Sequence, residues 1–333
     1  MLSCRVYLFT YKRNHLLPRA VESLINQTFQ NWVCEVHNDC PDDPFPAAYI
    51  QSLNDPRFIM KSHAVNMGAV ASFNLAFAGC TEDYASILED DNWWESTFLE
   101  EMIALMENNP TVNIAWSNMN LWQEKPGNEW LNTGNPIWPA GAQTTTFSWP
   151  VQQQVIGALH STGAMLYRGK IAHHYIAPHE TLLNAIELVR ERSFEHPIIL
   201  NHKPLANFAI TISTNRSADP YPWIASQVML LASYIEASDN QTEIIQEALA
   251  YHRRLKPSPI ANFFLADLFL LKKGSLYKYF NLSDWMVIGK WLIRNGHKLN
   301  YIKTYLASQQ KTTYSFLLKH TRLRFQESKQ NVH

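Results

Sequence analysis

The sequence predicts an α/β fold: a mixed, mostly parallel sheet flanked by helices, continued by an all-helical extension. Three observations carry that reading. The chain opens on a strand, a helix and a second strand in close succession, and such βαβ units pair their strands in parallel through a right-handed crossover. The short apolar run Ala85–Leu88 lies between polar flanks, as an interior strand does. From Pro220 onward the apolar residues keep helical spacing and no further strand is read.

At 333 residues, 46% hydrophobic and 17% charged, the chain is globular rather than disordered and long enough for a main domain with an extension. No apolar run approaches the roughly 18 residues that a membrane span needs. The start, Met1-Leu-Ser-Cys-Arg-Val6, lacks the charged-then-apolar pattern of a signal peptide, so a cytoplasmic setting is expected. Cys4, Cys34, Cys40 and Cys80 match no zinc spacing and read as buried free thiols in a reducing compartment. Charge is uneven. Residues 251–333 hold 15 Lys and Arg against Asp267, Asp284 and Glu327, a net +12, whereas residues 1–250 hold 13 against 26 acids, a net −13.

Taken in order, Arg5–Thr10 is the first strand, broken by the polar loop Tyr11–Asn14. His15–Thr28 is a helix: Leu16, Leu17, Ala20, Val21, Leu24 and Ile25 recur at its period, and Pro18 falls in the first turn, where proline is tolerated. Asn31–His37 is the second strand, Ala47–Leu53 a short helix and Arg57–Lys61 a third strand. Asn66-Met-Gly68 turns into the helix Ala69–Ala78, which Gly79 stops before the central strand. Val112–Trp116 and Ala164–Arg168 read as further strands, with Gln123–Gln143 between them as a long loop rich in Pro, Gly and Asn. Pro178 opens a helix with Leu182, Leu183, Ile186 and Val189 on one face, which puts Glu180 in its first turn. Ile198–Leu200 and Ala206–Ile212 are two strand-like runs. Helices follow at Trp223–Ala237, Gln241–Leu255, Ile260–Lys273, Ser283–Asn295 and Asn300–Ser308. The domain boundary falls between residues 1–218 and 219–333.

The central strand ends in Glu89, Asp90 and Asp91 as the chain leaves the core. Adjacent carboxylates repel one another unless something neutralises them, and a divalent cation does so best. Mg2+ suits such a place, because it takes oxygen ligands and bridges carboxylates to phosphates. A solvated acidic turn is the alternative. Position favours the cation, since open α/β sheets collect ligands at the carboxyl ends of their strands.

Several of these pieces come in a known order. A strand ending in Thr10-Tyr11 is followed by Ser23-Leu-Ile-Asn-Gln-Thr-Phe29, Asn38-Asp39, Asn66-x-Gly68, Asn74, Ala78-Gly79 and Leu88-Glu-Asp-Asp91. Over residues 3–215 this resembles glycosyltransferase family 2. The resemblance implies a Rossmann-like sheet of GT-A type, a nucleotide-sugar donor (a UDP-sugar by preference), a Mg2+ or Mn2+ cofactor and inversion at the anomeric carbon. It puts the nucleotide on Thr10, Tyr11, Asp39, Asn66, Gly68 and Asp90, and the metal on Asp91 with Asp90. The family's acidic general base, at the start of a later helix, falls on Glu180, with Glu187 as the fallback. Four positions depart from the pattern: Asn38 for an Asp, Cys40-Pro41 for Gly-Ser, Phe73 for an Arg, and Phe9 for a small residue or proline. They leave the nucleotide's identity open.

Seven of the eleven tryptophans lie within residues 93–149. Trp116 reads as core. Trp93, Trp94, Trp122, Trp130 and Trp138 are candidates for stacking on a sugar, because an indole offers a broad apolar face with a polar edge. The expected acceptor is a glycan or a lipid-linked glycan in bacterial surface polysaccharide synthesis. Ser213-Thr-Asn-Arg-Ser217 has hydroxyls and an Arg to offer a diphosphate, or is a solvated loop. The apolar run Phe263–Leu271, followed by Lys272 and Lys273, suits the surface of an anionic membrane on its inner, cytoplasmic side; packing on the catalytic domain or on a second copy is the other reading. No nucleic-acid motif is present. A catalytically inactive glycan- or nucleotide-binding protein on the same fold is the alternative to an enzyme.

Overall fold

The structure, a computed structural model, describes residues 1–212, 219–271 and 276–330. The Ser213–Ser217 loop and the pair Lys272 and Lys273 lie outside the described residues. The chain divides into two compact units: residues 1–148, 160–176 and 194–215 form the first, and 149–159, 177–193 and 216–333 the second. The sequence boundary after residue 218 therefore misses two segments, Trp149–Leu159 and Ala177–Ser193, which fold with the helices.

The first unit starts as expected, with β1 (Cys4–Thr10), α1 (Leu17–Ile25), β2 (Trp32–Asn38), α2 (Phe45–Ser52), β3 (Phe58–Ser62), α3 (Ala69–Leu75) and β4 (Tyr84–Glu89). In α1, Leu17, Ala20, Val21 and Leu24 form the buried face that the spacing predicts. Then come β5 (Trp93–Trp94), α4 (Phe98–Glu107), β6 (Ile114–Lys125), β7 (Glu129–Pro136), β8 (Thr144–Phe147), β9 (Met165–Arg168) and, after a return from the second unit, β10 (Ile198–Ile210).

One sheet runs β3-β2-β1-β4-β9-β6-β10-β5, with β7 on β6 and β8 on β10. Only β9 and β5 oppose the common direction along that path, so the sheet is mixed and mostly parallel. β4 lies between β1 and β9, and Tyr84 to Leu88 are all buried. Burying each large apolar side chain there is worth roughly 1.5–3 kcal/mol. The strand is thereby fixed, and its acidic end is held at the rim.

Two expectations for this unit change. The long loop Gln123–Gln143 is largely a β-hairpin, in which β6 continues to Lys125 and pairs with β7. The Pro, Gly and Asn that read as a loop are its turn: Pro126-Gly127-Asn128 has φ of +87° at Gly127 and +60° at Asn128, a bend such residues adopt at little cost. The two short runs at 198–212 are one strand, β10, whose register against β6 shifts between Asn201 and Ala206.

The second unit holds α5 (Ile186–Glu191), α6 (Tyr221–Ala237), α7 (Gln241–His252), α8 (Ile260–Phe269), α9 (Leu282–Asn295), α10 (Leu299–Ser308) and α11 (Ser315–Gln330). The predicted helix from Pro178 does not form there. Thr181 donates its N–H to the Pro178 carbonyl in a turn, Leu182 is extended, and helical backbone begins at Leu183. Glu180 is exposed in that turn, and the first-turn acid of α5 is Glu187. α11, unread in the sequence, buries Leu317, His320, Thr321 and Arg324. Arg192 is buried beneath it, donating to the Thr321 hydroxyl at 2.9 Å and the Gln154 carbonyl at 2.6 Å.

Candidate active site

Parallel register brings the carboxyl ends of β2, β1 and β4 level. Thr10 pairs with Asn38 and Phe9 with Glu89. The ladder runs one residue further on each side: Asp39 donates its N–H to the Thr10 carbonyl at 3.2 Å, and Asp90 donates its own to Phe9 at 3.1 Å. Three strand ends thus deliver Asp39, Thr10 and the Asp90-Asp91 pair to one rim of the sheet.

Asp90 is fully buried. One carboxylate oxygen accepts the Thr10 hydroxyl at 2.8 Å and the Tyr11 amide at 3.3 Å; the other faces Arg13 Nη2 at 2.5 Å. Arg13 also pairs with Asp91 Oδ2. Burial pushes the Asp90 carboxyl up to about 7, with Arg13 the main influence in the other direction. Asp91 is shifted up for the same reason, against the same arginine. The polar loop after β1 therefore supplies the counter-charge that the acidic strand end requires. Sequence reading missed Arg13; the need to neutralise two buried acids, and a lone basic pair at Lys12-Arg13, was the available signal.

Arg19 is a second unforeseen cation. It donates to the Asp91 carbonyl at 2.8 Å, and its guanidinium lies 3.7 Å from the Trp93 ring centroid and 3.8 Å from that of Trp130. Burial lowers its affinity for the proton, to about 10. Trp122 leans on Trp93 with centroids 5.3 Å apart and donates its indole N–H to Asn207 at 2.8 Å. Three of the five candidate tryptophans thus gather beside Asp91, held by an arginine. The other two are differently employed. Trp94 is buried, stacked on Phe98 at 4.2 Å, and donates to the Gly163 carbonyl at 2.9 Å, so its faces are core surface and not a sugar platform. Trp138 packs on Phe147 at 5.6 Å and, edge-on, near His202.

Asp39 holds a loop. Its carboxylate accepts the Met67 amide at 2.7 Å and the Gly68 amide at 3.1 Å, and Asn66 Oδ1 accepts the Gly68 amide as well, at 2.8 Å. Gly68, with φ of +78°, is where the chain turns into α3. Asp39, Asn66 and Gly68, far apart in sequence, are therefore one construction. A carboxylate has about four lone-pair positions, so accepting these two amides leaves acceptor capacity on Asp39. The departure at Asn38 has a local cause: its side chain accepts the Cys40 amide at 2.9 Å and donates to the Asp43 carbonyl at 3.0 Å, which shapes the turn before Pro44. The departures Phe9 and Phe73 meet each other, with centroids 5.1 Å apart, and Phe9 stacks on His37 at 5.2 Å.

Among the acids of the second unit, Glu191 is committed to structure: its carboxylate accepts the Leu159 amide at 2.7 Å and the Gln154 side chain at 2.7 Å. Glu180 lies exposed in its turn.

The family model described as Glycosyl transferase family 2 matches residues 6–171, the stretch that carries this rim. The chain carries a family 2 glycosyltransferase domain. WcaA of Escherichia coli (strain K12), provisionally named as a colanic acid biosynthesis glycosyl transferase, is 30% identical over 100 residues, 30% of this chain and 36% of WcaA. An uncharacterised glycosyltransferase of Haemophilus influenzae is 26% identical over 107 residues, 32% of this chain and 35% of that protein. The match spans about a third of the length of both curated relatives. Two crystal structures of S. aureus TarS 1-349 share the GT-A type fold. The complex with UDP-GlcNAc has a TM-score of 0.60 at 13% identity, covering 99% of this chain and 92% of that one. The complex with UDP has 0.58 at 14%, covering 97% and 92%. The matched stretch includes the carboxyl edge of β2, β1 and β4, the edge at which open α/β sheets present their ligand sites.

Proposed function

We propose that this chain is a metal-dependent, inverting glycosyltransferase that moves a sugar from a nucleotide-sugar donor, a UDP-sugar by preference, to a glycan or lipid-linked acceptor in surface polysaccharide synthesis. The observation that carries the reading is the Asp90-Asp91 pair, two buried carboxylates at the end of the central strand beside the loop anchored by Asp39. Oxygen donors of this kind suit Mg2+ or Mn2+, and Asp91 and Asp90 would hold the ion in place of Arg13. When bound, such an ion compensates the charge that builds on a leaving diphosphate.

The chain's own residues supply the rest. Thr10, Tyr11, Asp39, Asn66 and Gly68 bind the nucleoside, with the free acceptor capacity of Asp39 directed to an N–H of the base. Arg13, once released from the carboxylates, has the planar fork that pairs with phosphate oxygens. Trp93, Trp122 and Trp130 offer apolar surface to a sugar. Glu180 takes the proton from the acceptor hydroxyl as that oxygen attacks the anomeric carbon, a role worth roughly 10²–10⁴-fold in rate; Glu187 is the alternative base.

Thermal denaturation with a panel of nucleoside diphosphates, with and without Mn2+, tests the reading. A ligand at about 100 times its Kd adds roughly 2.7 kcal/mol of stability, so metal-dependent stabilisation by one nucleotide supports it and identifies the donor class. A second reading, sugar-nucleotide binding without turnover, is favoured by the hold of Arg13 on both acids. Stabilisation by nucleotide that metal does not change, with no hydrolysis of the donor, would replace the first reading with the second.

A further inference from the structure

α9 has one side built into the second unit and one side bare. Asn281 and Asp284 cap it reciprocally, Asp284 is buried in an ion pair with Arg253 at 2.6 Å, and Ile288 is buried beside it. On the opposite side Leu282 is 78% exposed, Trp285 42%, Met286 54% and Ile293 87%. At 3.6 residues per turn these four project within a sector of about 100°. Lys290 and Arg294, both exposed, border that sector on one flank. Trp285 extends the apolar surface, since it packs on Tyr277 at 5.9 Å and Phe280 at 5.5 Å, and Tyr277 is itself exposed.

We infer that this face of α9 docks on an anionic lipid surface. An amphipathic helix with Leu, Trp, Met and Ile outward and basic residues at the margin lies in the plane of a membrane interface, its apolar side among the acyl chains and its cations among the headgroups. Charge points the same way. The three acids of residues 251–333 are all engaged elsewhere: Asp284 with Arg253, Asp267 with the Leu276 amide at 3.0 Å, and Glu327 with Arg324 at 2.8 Å. A second copy is the poorer occupant, because an antiparallel two-fold contact through this face sets the basic flank of Lys290 and Arg294 beside the same flank of the other copy. Among the described residues no helix is long and apolar enough to cross a membrane, so the contact is peripheral. The run Phe263–Leu271, which the sequence suggested for this role, is mostly spent inside the unit: Phe263, Leu265, Ala266 and Leu270 are buried. The inference does not depend on the donor or on the metal.

Co-sedimentation of the full chain with vesicles tests it. The protein is expected to pellet with phosphatidylcholine mixed with phosphatidylglycerol, less so at high salt, and to stay in solution with phosphatidylcholine alone. Met286→Ser combined with Ile293→Ser should weaken that binding about tenfold or more, because two apolar side chains no longer leave water on docking. Lys290→Glu with Arg294→Glu should abolish the lipid preference. Both variants should keep the wild-type circular dichroism and melting curve, because none of the four side chains is buried. Wild type that ignores the mixed vesicles, or serine and charge variants that bind them as wild type does, would overturn the inference. So would a dimer in lipid-free solution that the serine variant dissolves, which would make the second copy the occupant.

Discussion

Arg13 spans two carboxylates, Asp90 and Asp91, at the end of the central strand. In the proposed reading a dication would take the place of this guanidinium, so the two cations would exclude each other. Asp90 is fully buried, whereas the Arg13 side chain is 30% exposed, so the arginine is the partner able to move.

Arg13→Gln should therefore cost stability without metal and return it with metal. Breaking a fully buried pair costs about 3–5 kcal/mol; solvent reaching Arg13 reduces this to about 1–3 kcal/mol. Calorimetric melting should show the variant below wild type in chelator, and a larger upward shift than wild type on adding Mn2+. Equal shifts in both proteins would mean that Arg13 and the ion do not compete.

The base assignment separates binding from chemistry. Glu180→Gln should keep nucleotide affinity within twofold and lower kcat by about 10²–10⁴-fold. Glu187→Gln, in the first turn of α5, should leave kcat near wild type. The reverse pattern, read from donor turnover and nucleotide titration, would move the base to Glu187.

Asp39 is expected to act on the base directly and also through the loop it anchors. Asp39→Ala leaves the Met67 and Gly68 amides without their carboxylate, and hydrogen bonds to a charged group are worth about 1.5–3 kcal/mol each. Hydrogen exchange at the Met67 amide should accelerate, less so at Gly68, whose amide keeps Asn66 Oδ1, and donor KM should rise with a smaller change in kcat. Unchanged exchange would make the contact incidental.

His160 gives a pH test within the first unit. It is buried, stacked near Trp116, and its Nδ1 accepts the Ser161 amide at 2.8 Å. Burial lowers its pKa to about 4, so the folded protein binds the proton less readily than the unfolded chain. The stability it contributes is complete above the unfolded value near 6.5 and is lost as pH falls toward 4, by about 3 kcal/mol at most. His160→Gln should flatten that part of the stability curve between pH 4 and 6.5, measured by urea unfolding. A variant with the wild-type slope would assign the acid sensitivity to other groups.

What was legible in the sequence was whatever depended on local pattern. β1 through β4 and the helices between them follow from apolar spacing and turn residues, and the same spacing places five helices of the second unit to within a few residues. The rim is legible from position: three acids alone suit a solvated turn, but here they follow an apolar interior strand at the carboxyl edge of an open sheet. Arg13 and Arg19 were not, because a cation in a polar loop or on a helix face is ordinary until the fold shows what it faces. The hairpin at Gln123–Pro136 is hidden for the opposite reason: Pro, Gly and Asn suggest a long loop, whereas Gly127 and Asn128 are the bend of a hairpin. Pro178 suits a helical first turn and so places Glu180 in a helix, yet the turn closed by Thr181 comes before the helix. Trp94 shows that an aromatic beside a site is not thereby part of it.

Phe9 and Phe73 depart from the family pattern at positions 64 residues apart and touch in the fold. In the fold the two rings form one contact. Restoring an arginine at 73 alone would set a guanidinium against a phenyl ring, and shrinking Phe9 alone would leave Phe73 beside a void, so each reversion should damage the protein more than both together. Transplants between this chain and its relatives should carry the two rings as a couple.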